Sequence, residues 1–235
     1  MDYRNLNAKR IAETVERLRD RIRERFPQSN LWRVTEQLLQ ATRKAEDRIA
    51  QINRPNIYLR TGVGLLVLLF ITLISLLFCQ LKFTAEVDRI SEFFQGVDSA
   101  LNTVILIGGG ILFLFTTETR MKRKVALRHI HELRSLVHIV DMHQLTKDPE
   151  RVLIGAPITP ASPERTMTRF EMSRYLNYCS ELLSLIGKVA ALYVERYDDP
   201  IVLSAVDQVE DLATGLSNKI WQKIMILDRS LEDCD

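Results

Sequence analysis

TGVGLLVLLFITLISLLFCQL at residues 61–81 and LNTVILIGGGILFLFTT at residues 101–117 decide the fold, because neither stretch contains a charged side chain. A helix rises about 1.5 Å per residue, so the first stretch reaches roughly 30 Å, the hydrocarbon thickness of a bilayer. The second is shorter and draws on Ala100 and snorkelling neighbours, or on slight local thinning, to cross. The pair predicts a two-pass transmembrane helical hairpin with an external connector over residues 82–100.

Flanking charges set its orientation. Arg43, Lys44, Arg48, Arg54 and Arg60 precede the first span, and Arg120, Lys122, Arg123, Lys124 and Arg128 follow the second. The connector holds Lys82 and Arg89 as cations beside Glu86, Asp88, Glu92 and Asp98. This Lys/Arg asymmetry places both termini in the cytoplasm and predicts a multi-pass protein of the cytoplasmic membrane. No apolar segment precedes Thr61, so a cleaved secretory signal is not expected. The Arg-rich start is too acidic, with Glu13, Glu16, Asp20 and Glu24, for a transit peptide. Cys79, Cys179 and Cys234 are three scattered thiols, which fits a reducing compartment better than a disulfide framework.

Outward from the spans the pattern is helical throughout, so the fold class is all-α. Residues 1–54 form an N-terminal helical hairpin. Its first helix carries Ile11, Val15, Leu18, Ile22 and Phe26 at spacings of three and four, and it ends at Pro27. Its second, from Leu31 to Asn53, turns Leu31, Val34, Leu38, Ala41, Ala45, Ile49 and Ile52 to one side. The hairpin region occupies 55–119. Beyond it, residues 120–147 extend the second transmembrane helix through Val125, Leu127, Ile130, Leu133, Val137 and Val140. A single helix from Leu101 to Leu145 would be roughly 65 Å long.

A Pro-rich linker, 148–162, separates this extension from a C-terminal helical pair, 163–235. Ser162 is the expected cap of the first helix, and Asp199, with Pro200 behind it, of the second. The second helix's expected stripe is Ile201, Ala205, Val209, Leu212, Leu216, Ile220 and Ile224. Stripes from both ends of the chain should bury against one another in one cytoplasmic helical bundle.

Four histidines crowd into one stretch, His129, His131, His138 and His143, with Glu132 and Asp141 between them. His138 and Asp141, with His131 nearby, are the candidates for a metal, because ligands three or four residues apart share a helix face. His129 and His131 diverge by about 160° on a helix, so the set does not converge, and polar packing between helices is the preferred reading. No metal and no cofactor is therefore expected. The run Asp141–Pro149 reads as a helix stop, with Lys147 near the negative end of the dipole.

Gly108, Gly109 and Gly110 interrupt the second span and invite either close helix packing or a hinge, and Ser75 with Cys79 forms a small-xxx-small pair on the first. Arg60, Arg120, Lys122, Arg123 and Lys124 mark the inner membrane interface. Phe83 and Phe94, in an amphipathic connector with Val87, Ile90 and Val97, mark the outer one. The spans carry no Asp, Glu, Lys or Arg of the kind transport sites use. Nucleotide loops, zinc cysteine pairs, serine elbows and kinase motifs are absent, and the basic clusters are explained by orientation rather than by specific nucleic-acid binding.

The sequence thus predicts a non-enzymatic integral membrane protein whose cytoplasmic bundle mediates self-association or partner binding, as a scaffold, anchor or regulatory subunit. Its expected partners are the lipid bilayer and either further copies of itself or a cytoplasmic protein. The alternatives are a homo-oligomeric pore gated through the second span and, behind it, a membrane-tethered metalloenzyme.

Overall fold

In the computed structural model the described residues are 6–54, 57–80, 90–149 and 167–232, and they form six helices with no strand. These are α1 (Ala8–Arg25), α2 (Leu31–Asn53), α3 (Ile57–Gln80), α4 (Ile90–Leu145), α5 (Arg169–Arg196) and α6 (Pro200–Glu232). They divide into two compact units. One comprises Met1–Asn53 and Val125–Asp235, and the other Arg54–Lys124, so α4 contributes residues to both.

The first unit has a continuous apolar core. α1 begins at Asn7, whose side chain accepts from the N–H groups of Lys9 and Arg10, and it closes with the Phe26 N–H donating to Ile22 O at 2.7 Å. Ser29 accepts from the Leu31 N–H at 3.2 Å and so opens α2. The whole α1 stripe, Ile11 to Phe26, is buried. On α2, Thr35 and Thr42 are buried beside the expected apolar residues. Each donates its hydroxyl to a carbonyl in the preceding turn, at Leu31 and Leu38, which lets a polar side chain enter the core at little cost. Arg19 with Glu36 (3.0 Å) and Arg43 with Glu16 (3.0 Å) clip α1 to α2, and Arg21 with Glu181 (2.6 Å) ties α1 to α5. Such surface pairs add little beside the core they border.

Several expectations shift in detail. α5 starts at Arg169, where Thr168 and Glu171 form a reciprocal capping box. That box takes the role expected of Ser162, which lies outside the described residues. α6 is capped as expected, with Asp199 Oδ1 accepting from the N–H groups of Ile201 and Val202 at 3.0 and 3.1 Å. Its buried face is nevertheless rotated at the start: Val202 and Val206 are buried, whereas Ile201 is 48% exposed. Both Ile201 and Val202 are apolar, and the position of α5 decides between them. The same holds on α4, where Ala126 and Leu136 join Ile130, Leu133, Val137 and Val140 in the core while Val125 is exposed.

The second unit is apolar and open. α4 contains a segment long and apolar enough to cross a membrane, and its large side chains lie on the surface, with Ile105 at 69%, Leu106 at 77% and Phe113 at 70% exposure. The apolar stretch of α3 among the described residues, Arg60–Leu76, is shorter than the apolar run of α4. Among the described residues one candidate span therefore stands where two were expected. Gly108–Gly110 are helical without positive φ, and a Cβ built on any of them meets nothing within 4 Å, so no close approach among the described residues requires them. α4 begins at Ile90 rather than at Leu101. Gly96 is the sole breaker between the two, so Phe94 belongs to the same helix as the apolar segment and not to a separate interfacial one. Phe83, like most of the 148–162 linker, lies outside the described residues.

The rotated stripe makes a direct prediction. Val206→Ala removes two buried methyl groups and should destabilise the first unit by about 2 kcal/mol. Ile201→Ala should stay within about 0.5 kcal/mol. Denaturant midpoints of the two variants check the difference.

Candidate functional site

The polar groups of the first unit converge where α4 ends. The last carbonyls of a helix have no partner inside it. Here the Lys147 N–H donates to Gln144 O at 3.1 Å, and a cation arrives from another helix. Lys223 of α6 donates its ammonium to Gln144 O (2.9 Å), Gln144 Oε1 (2.7 Å) and Lys147 O (3.1 Å). Gln144, only 2% exposed, passes the chain on by donating Nε2–H to Asp141 Oδ1 at 2.7 Å. A positive charge on C-terminal carbonyls is the favourable end of the helix dipole. The expected cation was Lys147, but its Nζ lies 5.2 Å above the ring of Tyr175 instead.

Tyr175, on α5, is the second node. Ser29 Oγ donates to its hydroxyl at 3.3 Å, and that hydroxyl meets His143 Nδ1 at 3.1 Å. The relay is consistent when His143 carries its proton on Nε2 and Tyr175 donates to Nδ1. Phe26 packs edge-on against Tyr175 at 5.4 Å, fixing the phenol between the α1–α2 turn and the end of α4. Burial, reinforced by Lys147, keeps His143 below its ordinary 6.5. Burial pushes the Tyr175 phenol up to about 12 and the Cys179 thiol also to about 12. Burial likewise depresses Lys223, against the opposing pull of Asp148, Asp141 and Cys179.

Beside these groups opens a cleft of about 440 Å³, lined by the α1–α2 turn (Phe26 to Asn30) with Arg25, by His143, Thr146 and Lys147, and by Met167, Glu171 and Tyr175. A second cleft of about 300 Å³ lies between α1 and α2, where Glu13, Glu16 and Glu46 face Lys9 and Arg43.

The histidine-rich stretch is divided by the helix. His129 stacks on Tyr193 at 6.1 Å and meets Glu132 at 3.3 Å, while Arg48 of α2 takes the same carboxylate at 3.1 Å. His143 joins Tyr175. His131 and His138 are exposed, and Asp141 serves Gln144, so the three metal candidates are not brought together. Among the described residues no group of three or more His, Cys, Asp or Glu is placed to hold a metal ion. Ser75 is exposed on α3, and Arg60, Arg120 and Lys124 are exposed, while Lys122 pairs with Glu118 at 2.8 Å. Nothing is described of the Cys79 side chain. Sequence reasoning missed Lys223, Tyr175 and Ser29, whose partners lie 79, 32 and 146 residues away, respectively. Comparison with family models, curated proteins and solved structures yields no match.

Two outcomes follow from this geometry. Lys223→Met strips the donor from a buried amide oxygen and two carbonyls and should cost about 2 kcal/mol. Tyr175 and Cys179 ionise near 10 and 9 when unfolded and near 12 when folded. The stability they contribute is therefore complete below about pH 9 and is lost as pH rises through about 12. Tyr175→Phe and Cys179→Ala should each flatten that alkaline decline, as read from melting midpoints across pH.

Proposed function

We propose that this chain is a two-pass integral membrane protein without catalytic activity, whose cytoplasmic helical bundle mediates self-association. The observation that carries the reading is α4, whose exposed apolar segment continues unbroken into residues of the packed core. A charge-free helical surface this large is stable in hydrocarbon and not in water. The charge-free stretch over residues 61–81 supplies the other pass, and the basic residues outside the two stretches favour both termini on the cytoplasmic side.

Association is supported by apolar side chains that the first unit leaves on its surface. Ile139, Met142 and Leu145 follow one another at spacings of three along α4 and are all exposed. A run of large apolar residues on a packed domain marks an interaction site. At the α4 terminus the hydroxyl set against an imidazole, Tyr175 beside His143, belongs to a phenol that burial keeps protonated, which favours a binding role over a reaction.

The mass of the purified full chain in nanodiscs tests this reading. A discrete oligomer is expected, and Met142→Glu combined with Leu145→Glu should shift it towards monomer. A wild-type monomer would refute self-association and direct the search to a different partner, whereas four or more copies would call for conductance measurements. Topology is checked separately. In a cysteine-free background, Ser91→Cys should react with a membrane-impermeant maleimide from outside intact cells, and Ser230→Cys only after permeabilisation.

A further inference from the structure

We infer that the 440 Å³ cleft at the end of α4 is a binding site for a small organic acid with an aromatic or hydrocarbon body. Its volume lies in the range of small-molecule sites, roughly 300–1,000 Å³. Its walls combine the two features such a ligand needs. Phe26, Tyr175 and Met167 supply an apolar surface, and Arg25 and Lys147 supply positive charge.

What distinguishes these cations is how they are held. The Arg25 guanidinium rests 5.7 Å from the ring centre of Phe170, and Lys147 Nζ rests 5.2 Å from that of Tyr175. Among the described residues neither makes an ion pair. The sole acid among the lining residues, Glu171, is already committed: its Oε2 accepts from the Thr168 N–H at 2.8 Å and the Thr168 hydroxyl at 2.9 Å. The lining therefore carries two cations that make no ion pair, against one carboxylate whose Oε2 is taken by Thr168. A cation held on a ring face keeps its remaining N–H donors for an incoming oxyanion. The smaller cleft between α1 and α2 is the internal contrast, because there Arg43 is paired with Glu16 and further glutamates make the lining acidic.

The test is calorimetric titration of the full chain in nanodiscs, with empty nanodiscs subtracted. Phenyl phosphate and benzoate serve as probes, and phenol as the uncharged analogue of the same ring. Saturable binding of at least one anion is expected, at least about tenfold tighter than phenol and weakening as salt is raised. Which anion binds tighter identifies phosphate or carboxylate as the preferred head group. Lys147→Met should weaken binding about tenfold or more, Lys147→Arg should restore most of it, and Arg43→Met should leave it unchanged. Melting midpoints confirm that each variant is folded. Phenol binding as tightly as the anions would reduce the cleft to an apolar crevice and overturn the proposal. So would an unaffected Lys147→Met variant, or no saturable heat above empty nanodiscs.

Discussion

Nearly everything in the first unit depends on the burial of α5. Tyr175, Leu176, Cys179, Leu182, Leu183, Ile186, Val189, Ala190 and Tyr193 are all buried, and with Tyr178, Leu185 and Leu192 they make a face about 200° wide, opposite the exposed Arg174, Ser184 and Lys188. A face that wide exceeds the apolar stripe of an ordinary surface helix. No single neighbour can enclose it, so cover comes from α6 behind it in the chain and from α1, α2 and the end of α4 before it. The two ends of the sequence are thereby obliged to meet across the whole of the second unit's chain length. Single substitutions on α5 remove contacts with several helices together, which is why the core should respond cooperatively to them.

That enclosure also explains the end of α4. Once α4 lies beside α5, its terminal carbonyls are too near the core to be left to water, and a buried orphan carbonyl is costly. Lys223 resolves this from α6, with Gln144 and Asp141 completing the chain of hydrogen bonds. The arrangement occupies Lys223 and frees Lys147, which turns to the ring of Tyr175 and the cleft. One lysine is structural because its ammonium is spent on three oxygens, and the other is available because the first has taken its place.

Local order was legible in the sequence and long-range order was not. The α1 stripe and the α2 boundaries are properties of short windows, and the Asp199 cap needs only its own helix. The α6 and α4 stripes were read one residue off at Ile201 and Val125 because adjacent apolar residues leave two faces open, and only the neighbour selects one. α5 offered no narrow stripe to read, since its apolar face spans more than half of the helix, with Arg174, Ser184 and Lys188 opposite it. At the site, His143 and Lys147 stood out by composition. Lys223 looked like any surface lysine of an amphipathic helix, and Tyr175 and Ser29 acquire meaning through partners distant in the chain. α4 was expected to begin at Leu101 because the acidic residues before it read as a boundary, although Asp98 and its neighbours carry no backbone instruction to stop a helix.

The state of the polar groups bears on what the site is suited to do. Proton transfer in catalysis works best with a group whose pKa lies near the operating pH, and nucleophilic attack needs a readily ionised side chain. Cys179 and Tyr175 are driven the other way, to about 12, and His143 is pushed below its ordinary value by burial and Lys147. Each of these three is held neutral near pH 7, two by lying far above it and the third by lying below. The charged side chains lining the cleft are the cations Arg25 and Lys147 and the carboxylate of Glu171, so the balance is positive. Neutral hydrogen-bonding groups beside fixed positive charge form an environment that stabilises a bound anion and has little capacity to move protons. The chemistry of the α4 terminus is therefore better suited to recognition than to proton transfer.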